Sequence, residues 1–154
     1  MSEVTHSRVI AASPQRVWEV LTDVEHAAQT LSGVTSVQLM TDGPYAVGTR
    51  WRETRTMFGR SATQEMWVAE CDPLRSTEVQ AEAGGTRFTT TFTLVPQSDG
   101  AQTELTMRFA ADASTASGLQ SMAMKMFGKV AARASSKALE QDLADIATAA
   151  ETQA

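Results

Sequence analysis

The strongest constraint on this chain is a run from Val34 to about Ala110 in which apolar residues recur with period two. It is cut at Asp42-Gly43-Pro44, Gly59, Asp72-Pro73, Gly84-Gly85 and Asp99-Gly100. Successive side chains of a strand point to opposite faces, so this alternation predicts six consecutive strands that share one apolar face. Three turns allow the register to be tried. A turn at Gly59-Arg60 sets Met57 against Ala62, Arg55 against Gln64, Glu53 against Met66 and Trp51 against Val68, with Arg52 facing Trp67 on the other side. A turn at Asp99-Gly100 sets Leu94 against Leu105, Phe92 against Met107 and Thr90 against Phe109. One at Gly84-Gly85 sets Ala81 beside Phe88 and Val79 beside Thr90, and brings Glu82 to Arg87 as a cross-strand ion pair. The large apolar residues fall on one side of the sheet.

The flanks have other periods. Val4 to Ala11 is a short β-type run, and Ser13-Pro14 then supplies an N-cap with proline at the first helical position. Val17, Leu21 and Val24, widened by Trp18 and Val20, continue at helical spacing, and a second short helix is predicted from Glu25 to Leu31, before Gly33. From about Ala116 to Ala150 the helical period returns, through Leu119, Met122, Met126 and Val130 to Leu139, Leu143 and Ile146. A one-sided sheet must cover its apolar face, and this long helix is the large element available to do so. The expected architecture is α+β: a seven-stranded curved antiparallel sheet wrapped around a long C-terminal helix, with two short helices between strands 1 and 2. The expected organisation is a single domain over residues 1–150 with a tail at 151–154. Seven strands gripping one helix leave a space between them that need not fill, which invites a ligand pocket.

Composition excludes several classes of function. A net charge of −5 argues against a general polyanion binder, so no nucleic-acid partner is expected. Cys71 is the single cysteine and His6 and His26 are the two histidines, too few for a zinc-type cluster, and no metal or cofactor is expected. The longest apolar run near the N-terminus is Val9-Ile10-Ala11-Ala12, far short of a signal or membrane segment. A cytoplasmic protein without stable membrane insertion is expected, as a monomer or a homodimer.

The stretches Ala12-Ser13-Pro14-Gln15-Arg16-Val17-Trp18-Glu19-Val20-Leu21-Thr22-Asp23, Leu31-Ser32-Gly33-Val34, Val47-Gly48-Thr49-Arg50-Trp51, Met57-Phe58-Gly59-Arg60 and Asp72-Pro73 carry a resemblance. In this order they resemble the SRPBCC or START-like helix-grip superfamily over essentially the whole chain, and within it the bacterial polyketide cyclase/dehydrase-like group. Each motif serves the fold, and none is a catalytic signature. The resemblance implies a hydrophobic cavity between sheet and C-terminal helix that receives lipids, sterols, polyketides or plant hormones according to the branch. Some members are aromatase/cyclases. The Rieske domain that some relatives carry is not expected, for want of a Cys/His pair.

The predicted inward face of the Gly59 hairpin holds the polar Glu53, Arg55 and Gln64 among Trp51, Met57, Met66 and Val68. They either orient the polar end of an apolar ligand, or Glu53 and Arg55 neutralise each other or reach water at the barrel mouth. Met57, Met66, Met107, Met122 and Met126 suit a surface that adapts to ligand shape, or simply fill the core. Phe88, Phe92 and Phe109 are expected in the same wall. His6 and His26 have no register toward the pocket and are read as surface or capping residues, and Cys71 as an inert thiol. Lys125, Lys129, Arg133 and Lys137 form a basic stripe on the long helix; a membrane-surface role is weakened by the acidic net charge and the acidic segment with Glu140, Asp142 and Asp145, so the stripe is read as a solvated face.

Three functions fit. The first is binding of a small hydrophobic molecule, such as a lipid or polyketide, which needs only a cavity. The second is a polyketide cyclase or dehydratase reaction in the same cavity, with Glu53 or Arg55 serving proton transfer or enolate stabilisation. The third is a protein-interaction module of the chaperone-activator type, for which the outward Thr54, Thr56, Thr63, Thr89, Thr91 and Thr93 offer no apolar patch.

Overall fold

The computed structural model describes residues 2–57, 59–83, 85–112 and 136–152. Ser13 caps the first helix by accepting a hydrogen bond from the Arg16 backbone N–H at 3.2 Å, and Pro14 sits where a missing N–H costs nothing. The elements in chain order are β1 (Ser2–Ile10), α1 (Pro14–Thr22), a 3₁₀ turn (Val24–His26) and α2 (Ala27–Thr30). They are followed by β2 (Val34–Leu39), β3 (Arg50–Met57), β4 (Arg60–Asp72), β5 (Ser76–Ala83), β6 (Thr86–Gln97) and β7 (Gln102–Asp112). A C-terminal helix, α3, occupies 136–152. The seven strands form one curved antiparallel sheet in the order β1-β7-β6-β5-β4-β3-β2. The chain thus crosses from one sheet edge to the other through α1 and α2.

The β5/β6 and β6/β7 registers are those the alternation predicts: Val79 faces Thr90, Ala81 faces Phe88, Leu94 faces Leu105 and Phe92 faces Met107. Glu82 and Arg87 pair on the outer face at 3.4 Å. The β3/β4 hairpin differs. Met57 pairs with Arg60, so the turn lies one residue earlier than Gly59-Arg60, and each partner shifts by two: Trp51 faces Met66, Glu53 faces Gln64 and Arg55 faces Ala62. A shift of two preserves parity, so the same side chains point inward. Its outer-face consequence is that Arg52 faces Glu65, whereas Arg50 lies over the Trp67 ring at 5.0 Å. A bulge in β4 between Val68 and Glu70 then turns Cys71 onto the inner face opposite Thr77.

The concave face holds the core in two clusters. In the first, Leu139, Leu143, Ile146, Ala147 and Ala150 of α3 bury against Ile10, Val17, Leu94, Leu105 and Met107. Each such leucine or isoleucine contributes about 1.5–3 kcal/mol over an exposed one. Thr103 is tolerated there because its hydroxyl donates to the Ala12 carbonyl at 2.9 Å. The second cluster, Trp51, Val68 and Val79, lies toward the β2–β3 connection. Tyr45 of that connection packs edge-on against Trp18 with centroids 6.2 Å apart.

Candidate functional site

The inner face of β3 carries two charges in succession, and α3 brings a third to meet them. Arg55 donates from Nε to Glu53 Oε2 at 2.9 Å, and from Nη1 and Nη2 to Asp142 Oδ1 and Oδ2 at 3.2 and 2.8 Å. The guanidinium fork thus grips one carboxylate with two donors and the other with its third. Asp142 is 6% exposed and Glu53 9%. Burial works against the Arg55 charge, but the two carboxylates outweigh it and its pKa is raised. The Asp142 carboxyl is also raised, because its burial, helped by repulsion from Glu53 and Asp145, outweighs the attraction of Arg55. Both directions follow from two buried acids sharing one cation. Gly33 makes room for this group, since a Cβ there would lie 3.2 Å from Arg55 Nη1.

Further polar contacts hold α3 against the sheet and its neighbours. Asp145 accepts from the Ser32 backbone N–H and hydroxyl, both at 2.9 Å, and Glu151 accepts from the Ala11 N–H at 2.8 Å. At the β1 edge, His6 Nε2 lies 2.6 Å from Ser136 Oγ, and its Nδ1 is 3.7 Å from Glu140. One expectation is corrected here. His6 stands opposite Met107 on the inner face, so it is a docking point for α3 and not a surface residue without register. Asp142, which the sequence reading did not single out, follows Leu139 by three positions and precedes Ile146 by four, which turns it to the core. That spacing is a signal available in the sequence. His26, in contrast, pairs with Asp23 at 2.9 Å on the surface, where hydrogen bonding to that carboxylate raises its pKa.

Beside this polar group the inner wall is apolar. Trp51 is buried, and Met107 is buried in the α3 cluster. Gln64, Met66, Phe88, Phe92 and Phe109 all point inward but are only half-buried. Phe88 and Phe109 stack with centroids 5.8 Å apart. Phe92 packs against both clusters. The Met57 side chain and the whole of Met122 and Met126 lie outside the described residues, as do Lys125, Lys129 and Arg133 of the basic stripe, while Lys137 is exposed.

Tyr45 and Thr77, which the alternation did not single out, add hydroxyls at the far end. Thr77 donates to the Glu70 carbonyl at 3.0 Å, which leaves it to accept the Tyr45 O–H at 2.7 Å. Burial pushes the Tyr45 pKa up to about 12, so the phenol stays protonated. Burial also raises the Cys71 thiol, helped by Asp72, which makes it a poor nucleophile. Among the described residues no three His, Cys, Asp or Glu side chains gather as a metal site requires, and no helix is long and apolar enough to cross a membrane.

The fold is shared with solved proteins of low sequence identity. A Thermus thermophilus protein, TTHA0849, superposes with a TM-score of 0.81 at 17% identity, with 99% of each chain covered. A START superfamily protein of Mycobacterium smegmatis gives 0.79 at 13% identity, again over 99% of both. The ZhuI aromatase/cyclase of Streptomyces sp. R1128 gives 0.74 at 20% identity, over 97% of this chain and 93% of that one. A comparison with curated proteins finds no match. The model of the family described as polyketide cyclase / dehydrase and lipid transport matches residues 1–151, and the chain belongs to that family.

Proposed function

We propose that this chain binds a small, largely apolar molecule between the concave face of the sheet and the C-terminal helix. The observation that carries the reading is the division of the core. The Trp51 cluster and the α3 cluster meet through Phe92, and the inward residues around that junction, Met66, Phe88 and Phe109, are only half-buried although they face the interior. An inward apolar wall that is not fully covered supports a ligand site there, and its methionine adapts to the shape of the occupant. The Glu53–Arg55–Asp142 group supplies the polar end. Native mass spectrometry of freshly purified protein tests the proposal. An apolar small molecule should co-purify and leave on mild activation. A chain that carries none and takes up none from a mixed lipid and polyketide extract would overturn it.

A cyclase or dehydratase reaction in the same place is the second reading, favoured by one feature of Arg55. Three of the five N–H donors of a guanidinium are used by Glu53 and Asp142, so two remain, and the side chain is 28% exposed. Those donors suit a developing enolate oxygen, with Glu53, hydrogen-bonded to the same guanidinium, as the proton-transfer group. Glu53→Gln separates the readings. For a carrier it alters selectivity and leaves apolar binding intact, whereas for a cyclase it abolishes turnover with the ligand still bound.

A further inference from the structure

Trp51 is 5% exposed, its Nε1 is sealed from solvent, and that nitrogen has no hydrogen-bond partner. An indole N–H ordinarily finds an acceptor when buried, and one left without costs free energy that a protein has no structural reason to retain. Its packing partners are largely apolar. Val68, Val79, Val24 and Val37 are hydrocarbon, and the Tyr45 and Thr77 hydroxyls are engaged with each other and with the Glu70 carbonyl. Among the described residues no polar atom of this cluster accepts the Trp51 N–H.

We infer that Trp51 selects ligands that carry a carbonyl oxygen, by donating its indole N–H to that oxygen inside the Trp51 cluster. The inference rests on the proposed binding function and narrows its ligand class. An apolar molecule with a ketone or ester oxygen satisfies the orphaned donor and brings no hydrogen that needs an acceptor, whereas a hydrocarbon leaves the donor unpaired. Met66, directly opposite Trp51 in the sheet and only half-buried, has the unbranched side chain that can swing aside as the oxygen enters.

The test uses methyl nonyl ketone and undecane, matched in length, added to the isotope-labelled full chain while the indole N–H resonances are followed by NMR. The Trp51 resonance is identified by its loss in Trp51→Phe and, should that variant not fold, by its proximity to Val68 and Val79. The expected result is that the ketone binds roughly ten-fold tighter than the alkane, the ratio for one hydrogen bond of about 1.4 kcal/mol. The Trp51 N–H should move downfield with the ketone alone, and Trp51→Phe should bind both equally. Equal binding of ketone and alkane, with the Trp51 resonance unmoved, overturns the inference and leaves the binding function standing. Failure of the ketone to bind also overturns the inference, and the binding function falls with it only if the chain takes up nothing from the mixed lipid and polyketide extract either.

Discussion

Replacing Asp142 by alanine measures how the C-terminal helix is held to the sheet. In the native chain its carboxylate takes both terminal nitrogens of Arg55, at 3.2 and 2.8 Å, from a position 6% exposed. Alanine leaves the guanidinium in place with Glu53 alone. Removing one partner of a buried ion pair costs about 3–5 kcal/mol. Arg55 keeps the Glu53 bond at 2.9 Å and a solvated edge, so the loss should sit at the lower end, about 3 kcal/mol. At about 2–4 °C per kcal/mol for a chain of this size, the thermal midpoint should fall by roughly 6–12 °C. Urea denaturation followed by circular dichroism reads the same loss as a lower midpoint with unchanged slope. The triple variant Glu53→Leu, Arg55→Met, Asp142→Leu removes the burial cost of all three charges together and should recover most of the stability, since apolar replacements of a buried ionic group are often neutral or better. A loss below about 0.5 kcal/mol in the single variant, the size of an ordinary surface substitution, would refute the reasoning. So would a triple variant no more stable than the single one.

The raised Asp142 pKa has a pH consequence of definite sign. The folded chain holds that proton more tightly than the unfolded chain, whose carboxyl has the ordinary value of 3.8, so this contribution to stability is complete below that pH and is lost as pH rises through the raised value. Measured against Asp142→Asn, the native chain should lose relative stability over that rise, and a relative gain would contradict it. Gly59 has φ +72° and nothing within 4 Å of the place a Cβ would occupy, so Gly59→Val should cost about 1–3 kcal/mol through backbone strain alone; an unchanged urea midpoint would show the turn to be wrongly placed. Gly33→Ala should push Arg55 Nη1 by a few tenths of an ångström and lower the thermal midpoint by less than Asp142→Ala does, and a larger drop would mean the guanidinium cannot yield.

The strands, their order and the inner face were legible because period-two alternation and turn residues are local signals. Two of the three tested registers followed from turn position alone, and the third was displaced by two because Gly59 is the second turn residue and not the first. That displacement left Glu53 and Arg55 inward but moved the cation–π contact from Arg52 to Arg50. Asp142 was missed because an acid in a run of acids reads as solvated unless its spacing to Leu139 and Ile146 is weighed above its charge. His6 was missed for a different reason: the facing of β1 depends on its pairing with β7, a strand distant in the sequence to which no local turn joins it. Tyr45 lies in a connection without period, and only its folding back onto Trp18 and Thr77 places it inside.

The central claim, that the half-buried wall beside Phe92 receives an apolar molecule, is tested most directly by methionine methyl NMR during titration with phenylnaphthylamine. Met66 and Met107 lie on the inner face, and Met40 is exposed outside it. The account predicts saturable shifts of the Met66 and Met107 methyl signals at one probe per chain, with Met40 unmoved. Shifts confined to Met40, or none at all, would contradict it.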